Sequence, residues 1–236
     1  MAWAGRLAGG VAGLLLLCAP ALAQEITGAT YTDPTTRYDH GVLGDDEEWG
    51  ALRLDLSDGR QRIMTLPETM VFEDTAPRLF DVTGDGAPEV VVVEADLQRG
   101  ARLAVWGAAG RLAATPYIGR PHRWLAPVGV ADLDGDGKPE IAYIDRPHLL
   151  GLLRVWRLEQ NKLVHVADAP NLTNHRIGWD HIPGGFRDCG DGPEIIVASK
   201  DWSQVMAVQF RNGGLESRAL GPANGPDSLN DALICR

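Results

Sequence analysis

The chain has 236 residues, 44% of them hydrophobic, with 28 glycines and 15 prolines. That is enough for one sizeable core, and turns rather than long apolar helices set its rhythm, so an all-β fold is predicted and wholesale disorder is excluded. The formal charge is −10, with 32 acidic against 22 basic side chains and no Lys/Arg cluster, which argues against a nucleic-acid partner because phosphate backbones demand basic patches.

The N-terminus reads as a secretory signal. Met1 to Arg6 carries one positive charge, Leu7 to Leu17 is apolar, and Ala21-Leu22-Ala23 has the small-x-small form of a cleavage site. The apolar run is shorter than the roughly 20 residues that span a bilayer, and Pro20 interrupts it. Residues 1–23 are therefore expected to be removed, placing a mature chain that begins at Gln24 in the periplasm or outside the cell with no transmembrane segment. Lipidation at Cys18 is the alternative, disfavoured by bulky Leu17 before it. Removal of Arg6 leaves 21 basic and 32 acidic side chains. Only Cys189 and Cys235 then remain, and in an oxidising compartment they are predicted to form a disulfide.

Along residues 24–236, taken as one domain, a unit of about fifty residues recurs. A worn copy comes first: Gly41 to Glu48 leads into Trp49 to Leu56, and Ser57-Asp58-Gly59 turns into Gln61 to Leu66. Asp81-Val82-Thr83-Gly84-Asp85-Gly86-Ala87-Pro88-Glu89 then precedes Val90 to Val93. Asp132-Leu133-Asp134-Gly135-Asp136-Gly137-Lys138-Pro139-Glu140 precedes Ile141 to Ile144, and the contracted Asp188-Cys189-Gly190-Asp191-Gly192-Pro193-Glu194 precedes Ile195 to Val197. An aromatic residue follows each glutamate at a nearly constant distance: Trp106, Trp156 and Phe210. Hairpin turns at Asn161-Lys162 and Asn212-Gly213-Gly214 announce a last strand. Four short antiparallel strands per unit predict a β-propeller-like array of about four blades, near residues 35–70, 71–120, 121–175 and 176–220, with 221–236 as a closing tail.

Aspartates at the first, third and fifth places of the turn, glycines at the fourth and sixth and a carboxylate at the ninth set several oxygens around one point. Such crowded charge repels itself unless a cation sits within it, and an all-oxygen set favours a hard ion, calcium before magnesium. An EF-hand shares the first six places but needs a glutamate at the twelfth, where Tyr143 and Val92 stand, and β-branched runs replace its helices. The other reading is an acidic turn held by side-chain bonds to its own backbone.

The stretch from Asp132 to Glu140, with Val128 to Val130 before it and the Ile-rich strand after it, resembles the FG-GAP/VCBS repeats of bacterial exported proteins and integrin-type propellers, over roughly Phe72 to Leu220. The resemblance implies propeller blades with structural calcium in one or two loops. Its ligands would be Asp132, Asp134, Asp136, Glu140 and the Lys138 carbonyl at the best site, and Asp81, Asp85, Glu89 and the Ala87 carbonyl at the second. Thr83 departs from the pattern by removing one carboxylate, and the Asp188 and Gly41 loops depart further.

The sequence carries no catalytic signature: the six histidines lack ligand spacing, and no nucleophile elbow, phosphate loop or dinucleotide fingerprint occurs. A non-catalytic binding or interaction scaffold is the leading expectation, its partner a protein or a glycan. A lectin-like propeller is the alternative, with Trp124, Trp179 and Trp202 as candidate exposed aromatics. An envelope hydrolase or lyase using a carboxylate pair is a further one.

Overall fold

A computed structural model describes residue 1, residues 24–44 and residues 46–235. The apolar run and cleavage site of the expected signal peptide fall outside the described residues. No helix among the described residues is long and apolar enough to cross a membrane.

The described chain is all-β as predicted, with seventeen strands and one short helix. The first eight are β1 (Ile26–Thr35), β2 (Glu48–Leu56), β3 (Gln61–Thr65), β4 (Met70–Phe72), β5 (Arg78–Phe80), β6 (Glu89–Asp96), β7 (Gly100–Gly107) and β8 (Gly110–Ala114). They form one sheet in the order β1-β2-β4-β6-β7-β8, with β3 on β2 and β5 on β6. The stretches expected as separate first and second blades are thus continuous. The cause is β4, whose Phe72 lies opposite both Trp49 of β2 and Glu94 of β6.

Strands β9 (Leu125–Ala131), β10 (Glu140–Asp145), β11 (Leu152–Glu159) and β12 (Lys162–Pro170) make a four-stranded antiparallel meander. The third sheet holds β13 (Leu172–Thr173), β14 (Gly185–Asp188), β15 (Pro193–Ser199), β16 (Gln204–Arg211) and β17 (Gly214–Pro222). The expected hairpin turns are present. Gln160 and Asn161 (φ 48° and 60°) and Asn212 and Gly213 (φ 54° and 79°) adopt the left-handed pairs that match strand twist.

The runs Val90–Val93, Ile141–Ile144 and Ile195–Ala198 are buried throughout because each strand serves two cores. Successive side chains point to opposite faces. Val90 and Val92 pack with Leu52, Leu54 and Phe72, whereas Val91 and Val93 pack with Ile141 and Tyr143 of the next sheet. Ala142 and Ile144 in turn pack with Ile195 and Val197, and Ile196 and Ala198 face Leu229. The sheets are therefore layered face to face, and α1 (Asp227–Ala232) covers the last face. The tail after α1 is fastened back by the predicted Cys189–Cys235 disulfide, whose Cα atoms are 5.5 Å apart.

The ladders fix which loops share an end. Ala131 pairs with Glu140 at one end of β9 and β10, and Leu125 pairs with Asp145 at the other. The acidic loop 132–139 and the connection 146–151 thus lie at opposite ends of the strands, roughly 20 Å apart at about 3.3 Å per residue.

Candidate metal centre

The Asp132 loop is shaped by its own carboxylates. Gly135 and Gly137 take left-handed conformations (φ 75° and 83°), and donate their N–H groups to Asp132 Oδ1 at 2.8 Å and Oδ2 at 2.9 Å. Asp134 Oδ1 accepts from Asp136 N–H at 3.2 Å, and Asp136 Oδ1 from the N–H of exposed Lys138 at 2.8 Å. One ligand oxygen each from Asp132, Asp134 and Asp136 lies within 4.8 Å of the others, close enough to hold a metal ion. Asp134 and Asp136 are exposed, so an ion can reach them. The all-carboxylate donor set fits a hard cation.

Glu140 is set differently from the three aspartates. It is buried, and its Oε2 accepts the Leu133 N–H at 2.8 Å, closing the loop at its base. Directly opposite on β11 is Arg157. Its guanidinium lies 2.7 Å from Asp134 Oδ2 and 3.0 Å from Asp136 Oδ2, and also pairs with Glu140. Burial works against the charge of Arg157, but its hydrogen bonds to Asp134 and Glu140 outweigh that and hold it more firmly protonated than usual. Asp134 is held below the usual carboxylate range, the bond from Arg157 overcoming a burial effect of opposite sign. Glu140 is pushed up by burial, which prevails over the Leu133 N–H and Arg157. Crowded charge was expected to need an added cation; the chain's own guanidinium already offsets part of it. Sequence reasoning missed Arg157 because it follows Glu140 by a strand and a turn. Its one signal was its place immediately after Trp156.

The Asp81 loop repeats the bonding without gathering the oxygens. Asp81 accepts the N–H groups of Gly84, Asp85 and Gly86, Asp85 Oδ1 accepts that of Ala87, and Glu89 Oε2 accepts those of Val82 and Thr83. Among the described residues Asp132, Asp134 and Asp136 are the one group of three with metal-holding geometry, so Asp81, Asp85 and Glu89 are not brought together as a second. Thr83 supplies no carboxylate where Asp134 stands in the next loop. Burial pushes Glu89 up, against the two N–H bonds it accepts. The Asp188 loop is a stapled turn: Asp188 accepts the Gly190 N–H, Cys189 is in the disulfide, and Glu194 is paired with Arg187 at 2.7 Å and with Arg218.

At the opposite end the connections gather side chains that the sequence left scattered. Trp124, expected among the exposed aromatics, is 2% exposed, and its Nε1 donates to the Glu73 carbonyl at 2.8 Å. Trp179 and Trp202 are half-buried, with ring centroids 5.2 Å apart at an interplanar angle of 71°, and Trp179 stacks on His181. His148 Nε2 is 3.0 Å from His175 Nδ1, and the His40 and His122 rings are 5.3 Å apart. These four histidines come from four different connections, so linear spacing gave no hint of them. Burial first, and then the neighbouring His175 and His40, lower the pKa of His148 to about 4. His40 pairs with the buried Glu73; burial lowers the histidine and raises the carboxyl.

Residues 81–143, which span both full acidic loops, match the model of the FG-GAP-like repeat. No curated protein matches the chain. Among solved structures, the crystal structure of rhamnogalacturonan lyase YesW is similar over 83% of this chain, at 16% identity and a TM-score of 0.38. This chain spans half the length of that one.

Proposed function

We propose that this chain, which carries an FG-GAP-like repeat at residues 81–143, is an exported, calcium-stabilised β-propeller-type scaffold that binds a partner without transforming it. The observation that carries this reading is the convergence of Asp132, Asp134 and Asp136 on one point. Calcium there would be held by these three carboxylates and would pin the loop joining β9 to β10. The layered sheets, whose central strands β6, β10 and β15 each feed two cores, support reading the units as blades. The disulfide accords with an oxidising compartment outside the cytoplasm.

The test is a thermal melt of the mature chain, wild type and Asp134→Ala, each with about 1 mM calcium and with chelator. At the dissociation constants of roughly 0.1–1 mM common in extracellular calcium modules, one site contributes about 0.4–1.4 kcal/mol. That raises the melting temperature by about 1 to 5 °C in wild type, and Asp134→Ala should abolish the rise. Equal shifts in both proteins, or none, would show that the loop is an acidic turn and not a site.

A further inference from the structure

The connections opposite the acidic loops enclose a groove that the metal reading leaves without a role. A cavity of about 320 Å³ is lined in part by His122, Arg123 and Trp124. A second, of about 380 Å³, is lined in part by Arg176, Lys200 and Trp202. Pro147, His148 and Ile177 line both, so the two are halves of one groove. Each half is at the lower end of the roughly 300–1,000 Å³ usual for small-molecule sites, and together they suit an elongated ligand.

The lining is cationic although the chain is strongly acidic. Arg123 donates to the His122 carbonyl, and Arg176 lies over the Trp202 ring at 4.8 Å. Neither of them, nor Lys200, is in an ion pair among the described residues. Asp201, the carboxylate in this lining, is occupied by the hydroxyls of Ser199 at 2.6 Å and Ser203 at 2.8 Å. Trp202 adopts a left-handed conformation (φ 61°), which is unfavourable for a bulky residue and is held by the turn between β15 and β16. The effect is to carry an indole into the half of the groove that holds Arg176 and Lys200, while Arg123 lines the other half.

We propose that this groove binds a carboxylate-bearing oligosaccharide, with Trp202 against a sugar face and Arg123, Arg176 and Lys200 receiving its carboxylates. Aromatic faces match the apolar faces of sugar rings, and spaced guanidinium and ammonium groups match carboxylates repeated along a chain. The inference rests on the reading of the protein as a binding scaffold.

The test titrates the mature chain with a mannuronate tetramer, followed by tryptophan fluorescence and calorimetry. A mannose tetramer, which differs by lacking the carboxylates, and tetraglutamate, which has carboxylates but no sugar, are run alongside. Saturable binding of the mannuronate tetramer is expected, with both comparison ligands weaker by about tenfold or more, the scale of one charge-assisted hydrogen bond. Lys200→Gln and Trp202→Gly should each weaken binding by about five- to tenfold. Trp202→Gly suits the left-handed backbone, and an unchanged melting curve for Lys200→Gln separates lost contact from lost fold. Equal binding of the mannose tetramer overturns the acidic specificity, and equal binding of tetraglutamate overturns the glycan. Absence of binding, or indifference to both variants, overturns the site while leaving the calcium melt to stand or fall separately. Recovery of the tetramer uncut agrees with a scaffold; cut products would keep the groove as the site and overturn the non-catalytic reading.

Discussion

Glu140 and Arg157 face each other across the ladder of β10 and β11, and from that position the guanidinium reaches over the acidic loop to Asp134 and Asp136. Arg157 therefore holds two of the three carboxylates that an ion at this loop would use. The other repeats lack this device: Gln209 faces Glu194, and Gly107 follows Trp106. In chelator, Arg157→Met should lose about 1.5 to 3 kcal/mol, because buried Glu140 loses its charged hydrogen-bond partner while Asp134 and Asp136 stay in contact with water. It should also show a larger calcium-induced rise in melting temperature than wild type. Melts of both proteins with and without calcium decide the matter, and an unchanged calcium response would mean that the arginine and the ion do not share ligands.

The disulfide closes a loop with a sequence separation of 46 residues. On the chain-entropy account such a bridge contributes up to about 4 kcal/mol by restricting the unfolded chain. Its local effect is to keep α1, with fully buried Leu229, on the outer face of β15 and β16. In Cys235→Ser the backbone amides of residues 223–234 should exchange with solvent markedly faster than those of β10. Exchange mass spectrometry on the two proteins measures this, and equal protection of the tail would remove the bridge from its role as a clasp.

Mild acid should act on the fold through its buried histidines. His148 has a folded pKa of about 4, below the ordinary value of 6.5. The folded state thus binds the proton less readily than the unfolded chain, and His148 favours folding fully above pH 6.5. That contribution is lost progressively as the pH falls from 6.5 towards 4. His148 is only partly buried, so solvent screens the effect and the loss by pH 5 should be on the order of 1 kcal/mol. Urea unfolding at pH 7.5 and pH 5 should show the drop, and His148→Phe should reduce it. His40 and His175 are lowered in the same direction, so some of the drop should persist in that variant.

The strands after Glu89, Glu140 and Glu194 were legible because a glycine-rich acidic turn followed by β-branched residues has few other ways to fold. The disulfide was legible from two thiols in a chain expected to be exported. Long-range features were not. Strand β1 carries Gly28, Asp33 and Pro34, which hide its pairing with β2, and β4 is only three residues long, yet it joins two stretches into one sheet. The tail helix is too short to show a period. The three clustered aspartates Asp132, Asp134 and Asp136 were readable from spacing alone, whereas Arg157 depends on strand register. The groove depends on four connections meeting in space, and no run of residues displays it.

Because Val90 and Val91 belong to different cores, as do Ile141 and Ala142, no layer owns its interior. Losing the middle sheet would strip one wall from the core on each side of it, so the inner layers have no separate melting step. The molecule should accordingly come apart as one unit.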